Sequence, residues 1–187
     1  MPISSADSRN HPQELKEGLW SFPPDNLCNG SRSWLIRCTP EPVLIDCPPV
    51  NQSNIDLLKT FSLGHSPLIV LTNRESHGRV SELQEALGWP ILVQEQEAYL
   101  LPGINQLGSF SEEHVTISGL RLLWTPGPTP GSSVIYAPPP WNVLFCGRLL
   151  IPLKSNCFKA VRTRRTFHWS RQQKNLERLR QWLPRNA

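Results

Sequence analysis

Residues 125–150 read TPGPTPGSSVIYAPPPWNVLFCGRLL, and the order of chain breakers and apolar residues in this stretch sets the pattern of the rest. Pro126, Pro128 and Pro130 alternate with Gly127 and Gly131, which leaves the backbone little besides a tight, irregular loop. SSVIYA (132–137) is then a short β-rich run. Pro138, Pro139 and Pro140 cannot belong to a central strand and force a turn, after which NVLFCG (142–147) resumes the apolar run. A tight loop therefore feeds two strands folded back on each other.

Working outward, HVTISGLRLLWTP (114–126) predicts a hairpin turning at Ser118-Gly119, with Val115 and Ile117 before the turn and Leu120 and Leu122 after it. Further upstream, SPLIVLTN (66–73) is a continuous apolar run after a proline, the pattern of a strand buried on both faces. RVSELQEALG (79–88) follows with Val80, Leu83 and Leu87 on one helical face and Gly88 as a stop, and PILVQE (90–95) is a second strand. Strand, helix, strand at this spacing is a βαβ unit. SRSWLIRC (31–38) and PVLIDCPP (42–49) predict a hairpin around the TPEP turn. NIDLLKTFSLG (54–64) predicts a helix with Ile55, Leu57, Leu58 and Phe61 as its apolar stripe, ended by Gly64. Downstream, WSRQQKNLERLRQWL (169–183) predicts a terminal helix with Trp169, Leu176, Leu179, Trp182 and Leu183 on one side and arginines elsewhere.

Residues 1–17 are polar and aperiodic and read as a flexible lead-in; residues 18–187 read as a single domain of mixed α/β (α+β) class ending in a basic helix. With 39% hydrophobic and 18% charged residues, the composition excludes a disordered chain. No apolar run approaches the roughly 20 residues of a membrane-spanning helix. The first residues lack the apolar core of a secretory signal, so a cytoplasmic location is the expectation. Five cysteines without a CxxC pair point to reduced thiols rather than a disulfide framework, and Cys146 and Cys157 read as buried thiols, not nucleophiles. The formal charge of +4 conceals an asymmetry: from Cys146 onward there are eleven basic residues and one acid, Glu177, whereas residues 1–145 carry eight basic and fourteen acidic residues. Such a split points to an anionic partner, or to a tail that packs on the acidic part.

Three segments together resemble the metallo-β-lactamase superfamily. VLIDCPP is similar to the strand ending in Asp that precedes the family's metal loop. IVLTNRESHGRV stands where the family has a strand and T-H-x-H-x-D-H, and TPGPTPGSSVIY…VLFCGRLL is close to T-P-G-H-T-P-G-S followed by a strand and G-D. A subgroup whose metal loop reads like T-H-R-D-D-x-x-D-H, followed by a helix and a strand running into an H-E-like pair, is closer still to LTNRESHGRVSELQEALGWPILVQEQEA. The resemblance covers about Trp20 to Ile151. It implies an αββα sandwich, here shortened at the carboxyl terminus, since the subgroup's closing L-P-G-H-G is replaced by WLPRNA.

The resemblance also implies a hydrolytic site in which imidazoles and carboxylates hold one or two zinc ions and leave a position open for water, whose pKa falls to about 7. Carried over position by position, few ligands survive. His77 matches the metal loop's final His and Glu75 supplies a carboxylate, and these two are the candidate metal ligands. Asn73 stands for the first His. Pro128 stands for the His of T-P-G-H-T and carries no donor, and Arg148 stands for the bridging Asp and brings a fixed positive charge. Were the metal loop extended, Asn73, Glu75 and His77 would share a face. Asp46, Asn73, Glu75, His77, Pro128 and Arg148 thus form a vestigial-site set, with Arg148 expected to pair with Asp46 or Glu75. His77 also reads as a polar residue capping the helix that follows, and Asp46 as a carboxylate orienting loop amides.

No cofactor is expected beyond zinc in a weak or altered site. Three functions compete. The first is a non-catalytic binding or scaffold protein whose partner is an unidentified protein or an anion. The second is a metal-dependent hydrolase of an ester, thioester or phosphodiester with a mononuclear site on Glu75, His77 and a third ligand such as His65 or His114. The third is nucleic-acid binding through Arg162, Arg164, Arg165 and Arg171, with Phe167, His168 and Trp169 interleaved; the alternative for that segment is a helix whose arginines face water or the acidic front. Phosphate-loop, nucleophile-elbow, HExxH and dinucleotide signatures are missing from the sequence.

Overall fold

The computed structural model of the protein describes residues 11–154 and 157–184, and its internal contacts resolve into two units. The first comprises residues up to Leu71, Glu75–Leu92 and Gly103–Gly108; the second comprises Thr72–Arg74, Val93–Pro102 and the chain from Ser109 onward.

The first unit is organised by a sheet whose strands follow chain order. β1 (Gln13–Lys16), β2 (Leu19–Ser21), β3 (Trp34–Ile36) and β4 (Val43–Ile45) pair antiparallel in succession. β4 then pairs parallel with β5 (Leu68–Leu71), with Val43 opposite Leu68 and Ile45 opposite Val70. A parallel pair needs a crossover connection, and α1 (Gln52–Phe61) supplies it. Asn51 starts this helix by accepting the Asn54 N–H, and Leu58 and Phe61 bury its apolar stripe. α2 (Val80–Leu87) separates β5 from its sheet neighbour β6 (Ile91–Gln94), and β7 (Leu107–Phe110) completes the order. Gly88 ends α2 at φ 71°, its N–H returning to the Gln84 carbonyl, the left-handed stop expected of a glycine there. Leu35, Ile36, Leu44, Ile45, Ile69 and Leu71 are completely buried, which is why these strands read as continuous apolar runs. β1 falls within the stretch read as a lead-in; all four of its side chains are exposed, so it carries no hydrophobic signal.

The second unit contains α3 (Glu95–Ala98) and a sheet ordered β11-β10-β9-β8, made of β8 (Glu113–Val115), β9 (Arg121–Trp124), β10 (Ser133–Ala137) and β11 (Val143–Phe145), all antiparallel. Both hairpins expected from residues 114–147 form. Their faces differ from a simple alternation: Leu120 and Leu122 are fully buried, whereas Val115 and Ile117 are 60% and 76% exposed. The terminal helix, α4 (Trp169–Trp182), packs Leu179 against Leu123, Val134 and Leu149, with Leu144, Leu176, Trp182 and Leu183 around them. Four of the five residues of the predicted apolar side, Leu176, Leu179, Trp182 and Leu183, belong to this cluster; Trp169 does not, and Gln172 and Asn175 are buried along the helix with Leu179. Polar contacts add to the docking: Arg178 of α4 lies 2.9 Å from Glu112 and donates to the Trp124 carbonyl, and Arg121 of β9 stacks 4.4 Å from the Trp182 ring. Between β11 and α4, β12 (Ile151–Lys154) and β13 (Cys157–Lys159) make a separate two-stranded hairpin.

Among the described residues, no helix is long and apolar enough to cross a membrane. The five cysteines are free, as the sequence suggests. Cys28, Cys38 and Cys47 are buried and Cys146 is half-buried, but Cys157 is exposed on β13, against the expectation of a buried thiol. All three residues of β13 are exposed, so the strand has no covered face to bury the thiol.

Candidate functional site

The T-P-G-P-T-P-G loop of the second unit is held rigidly from within. The Thr125 N–H donates to the Ser132 carbonyl at 2.8 Å, the Thr129 N–H to the Ser132 hydroxyl at 2.9 Å, and the Trp124 indole N–H to the Pro130 carbonyl at 2.8 Å. The two glycines are required by what lies against them. A Cβ on Gly127, whose φ is 149°, would meet the backbone of Gln172 at 2.5 Å, and one on Gly131 would meet Glu97 at 2.7 Å. Both distances are below van der Waals contact, so neither position admits a side chain without displacement.

The start of α4 covers this loop. The Phe167 N–H donates to the Pro128 carbonyl at 3.1 Å and the His168 N–H to the Gly127 carbonyl at 2.8 Å; the Asn175 amide reaches the Pro126 carbonyl at 2.6 Å. His168 also caps the helix, its ring accepting the Arg171 N–H. Gln172 is buried and donates to the Leu149 carbonyl at 3.1 Å. Pro128, at the position matched to a metal-binding imidazole, is consequently buried.

Glu97 locks the other side of the loop. Its side chain is completely buried, and Oε1 accepts both the Gly131 N–H at 3.0 Å and the Arg74 Nε–H at 3.1 Å. Next to Arg74, Asn73 is a buried amide whose nitrogen donates to the Thr72 hydroxyl at 2.9 Å. The Thr72 carbonyl accepts the Ser133 N–H at 2.8 Å, and Gly147, at φ 51°, abuts the Thr72 hydroxyl so closely that a Cβ would lie 2.9 Å from it. Residues 72–74, 97, 131 and 147 thus converge in one unit, with half-buried Arg148 directly following Gly147.

In the first unit, Asp46 is buried at the end of β4 with φ 62°, a left-handed conformation uncommon for a residue with a side chain. Its N–H donates to the Val70 carbonyl at 2.9 Å, and the next N–H, of Cys47, reaches the Ser76 carbonyl at 3.2 Å, so Asp46 adjoins the segment carrying Glu75 and His77. Gly78 is where these loops meet: its Cβ position is 2.9 Å from the Cys28 sulfur and 3.3 Å from that of Cys47. Burial pushes the Cys28 thiol up to about 12, with Asp25 and Asp46 adding to the effect.

Two readings of the metal loop need correction. Arg74–Ser76 form a 3-10 turn, so the segment is not extended and Asn73, Glu75 and His77 do not alternate onto one face. α2 is preceded by Arg79 and makes no side-chain cap bond; the His77 carbonyl accepts the Val80 N–H at 3.0 Å. Of the third-ligand candidates, His114 lies on β8 with its ring 6.2 Å from that of Phe110, and the backbone N–H of His65 bonds to Ser62. In the basic segment, Arg162, Arg164 and Arg165 are exposed between β13 and α4, and Arg171 lies 5.6 Å over the Trp124 ring.

These residues do not fit the zinc centre that the family resemblance implies. Among the described residues, no group of three or more His, Cys, Asp or Glu side chains is placed to hold a metal ion. Pro128 offers no donor and is buried, its carbonyl accepting the Phe167 N–H, Arg148 is a cation, and the Asn73 amide is a poor zinc ligand. Arg74, Glu97, Gln172 and Asn175 carry the local structure and were not singled out by the sequence. Glu97 sits in a run with Glu95, and only the turn of α3 sends one carboxylate inward while the other stays exposed.

Comparison with known proteins gives the fold. No protein-family model matches the chain, and no curated protein matches it. Solved structures do. The DIM-1 metallo-β-lactamase exposed to ceftazidime superposes with a TM-score of 0.70 at 17% identity, over 91% of this chain and 84% of that one. VMB-1 gives 0.67 at 18%, over 90% and 83%. TTHA1623 in a di-iron-bound form gives 0.58 at 25%, over 82% of each chain.

Proposed function

Given that the chain has the metallo-β-lactamase fold, we propose that it is a non-catalytic binding or scaffold protein in which protein contacts hold the loops that metal ions hold elsewhere in the superfamily. The observation that carries this reading is the double closure of the T-P-G-P-T-P-G loop. Glu97, completely buried, accepts from Gly131 and Arg74 on one side, and the main chain of Phe167 and His168 bonds to Pro128 and Gly127 on the other. A loop fixed in this way has no need of a metal to order it, and the covered Pro128 offers none a ligand.

A hydrolase built on Glu75 and His77 would need a third ligand, and His65 and His114 form no such group with them among the described residues. Fold alone does not specify chemistry, so activity is the test. Hydrolysis of p-nitrophenyl esters, a thioester and bis(p-nitrophenyl) phosphate should stay at the uncatalysed rate with added zinc, iron or manganese. Metal-dependent turnover abolished by a chelator and by His77→Ala would overturn the proposal.

A further inference from the structure

The basic stretch at the end of the chain divides into two parts with different surroundings. Within α4, Arg178 is engaged by Glu112 and Glu113, Arg180 by Glu177, and Arg171 by the Trp124 ring. These arginines serve the helix and the sheet beneath it. The preceding segment is different. β12 and β13 form a hairpin outside the four-stranded sheet, Phe158 on β13 is 63% exposed, and Lys159, Arg162, Arg164 and Arg165 after it are exposed as well. No acidic residue occurs between Cys146 and Leu176.

This segment is nonetheless ordered. The Thr163 N–H donates to the Thr166 hydroxyl at 2.8 Å, the Arg165 N–H to the Thr163 hydroxyl at 3.2 Å, and the Thr166 N–H to the Thr163 carbonyl at 3.1 Å. A tight turn thus presents Arg164 and Arg165 at its tip. Directly after it, Phe167 is 53% exposed; its main chain is anchored by the N–H bond to the Pro128 carbonyl, and its ring lies edge-on to that of His168 at 6.3 Å. Two exposed phenylalanines therefore bracket a row of exposed arginines.

We propose that the arm from Cys157 to His168 binds single-stranded nucleic acid, with Lys159, Arg162, Arg164 and Arg165 on the phosphates and Phe158 and Phe167 stacking on bases. The arginines alone would suit any polyanion. The phenylalanines favour a single strand: unpaired bases offer open faces to an aromatic ring, while a duplex keeps them stacked inside and a polysaccharide or lipid headgroup has none. The main chain of Phe167 and His168 anchors the end of this arm to Pro128 and Gly127, but the side chains invoked are exposed, and the proposal stands whether or not the protein holds a metal.

The test is fluorescence anisotropy with a labelled single-stranded RNA or DNA of about 20 nucleotides, measured across salt concentrations beside the matching duplex, heparin and anionic lipid vesicles. Binding to the single strand should weaken steadily with salt and exceed binding to the duplex. Arg162→Ala with Arg164→Ala should weaken binding to single strand and heparin alike. Phe158→Ala with Phe167→Ala should weaken single-strand binding by about tenfold and leave heparin unchanged. All four side chains are exposed, so an unchanged melting temperature would confirm that the variants fold. Absence of salt-sensitive binding overturns the proposal. So does equal binding of single strand, duplex and heparin with no effect of the phenylalanine variants, or a preference for vesicles over the oligonucleotide.

Discussion

The guanidinium of Arg74 and the carboxylate of Glu97 lie 3.1 Å apart, the carboxylate wholly buried and the guanidinium about one-third exposed. The same carboxylate oxygen accepts the Gly131 N–H, so one side chain ties the segment after β5 to the loop before β10. A buried carboxylate is costly unless its charge is matched and hydrogen-bonded; here Oε1 meets both conditions, while Oε2 is buried without a hydrogen-bond partner among the described residues. The asymmetric exposure predicts asymmetric mutants. Glu97→Ala leaves a buried N–H without an acceptor and should cost about 2–3 kcal/mol. Arg74→Ala should cost about 1 kcal/mol, because water reaches the guanidinium. Urea denaturation of the two variants checks the order, and equal losses would show that the pair is not the lock described.

Gly127→Ala should loosen the seam between the loop and α4. The added methyl would stand 2.5 Å from the Gln172 backbone, so the helix start must move and the bonds from Phe167 and His168 must stretch. The expected result is faster protease cleavage within 162–168 than in the parent protein. Cleavage at the parent rate would mean that α4 does not depend on the close approach.

Leu179→Ala removes the buried centre of the contact with Leu123, Val134 and Leu149 and should cost about 2–5 kcal/mol. Arg178→Ala, which breaks solvent-exposed pairs with Glu112 and Glu113, should cost under about 1 kcal/mol. Chemical denaturation separates an apolar anchor from an electrostatic one, and a larger loss for Arg178→Ala would reverse the assignment.

The thiols give a pH prediction. Burial pushes Cys28 up to about 12 from an ordinary 9.0 and moves Cys47 in the same direction, with the Cys28 thiol adding to the shift. The unfolded chain releases these protons at lower pH than the folded chain. Their contribution to stability is therefore complete below about pH 9 and is lost as pH rises toward 12. Thermal midpoints measured upward from pH 8 should fall less steeply for Cys28→Ala than for the parent, and identical slopes would refute the linkage. Exposed Cys157 should be the first thiol labelled by a maleimide, with Cys28 and Cys47 labelled only on unfolding.

Much of the fold was legible because its signals are local. Pro138–Pro140 and Ser118-Gly119 mark turns in the chain itself, and the spacing of Leu176, Leu179, Trp182 and Leu183 is a property of one helix. β1 and the β12–β13 hairpin escaped because their side chains are largely exposed and leave no apolar pattern. The site was harder to read. Asn73, Glu75 and His77 suggest a shared face only if the loop is extended, and the 3-10 turn at Arg74–Ser76 removes that premise. Glu97 gives no sign of its burial, since the partner that requires it, Gly131, lies 34 positions away. Close packing of two loops across such a separation is a tertiary fact, and no period in the sequence encodes it.

If side chains and backbone order these loops in place of a metal, the protein retains no tightly bound metal ion. Elemental analysis of the purified full-length protein, after incubation with excess zinc and removal of free metal by gel filtration, tests it most directly. Zinc, iron and manganese should all remain far below stoichiometric amounts. Retention of a stoichiometric metal that is lost in the His77→Ala or Glu75→Ala variant would contradict the account.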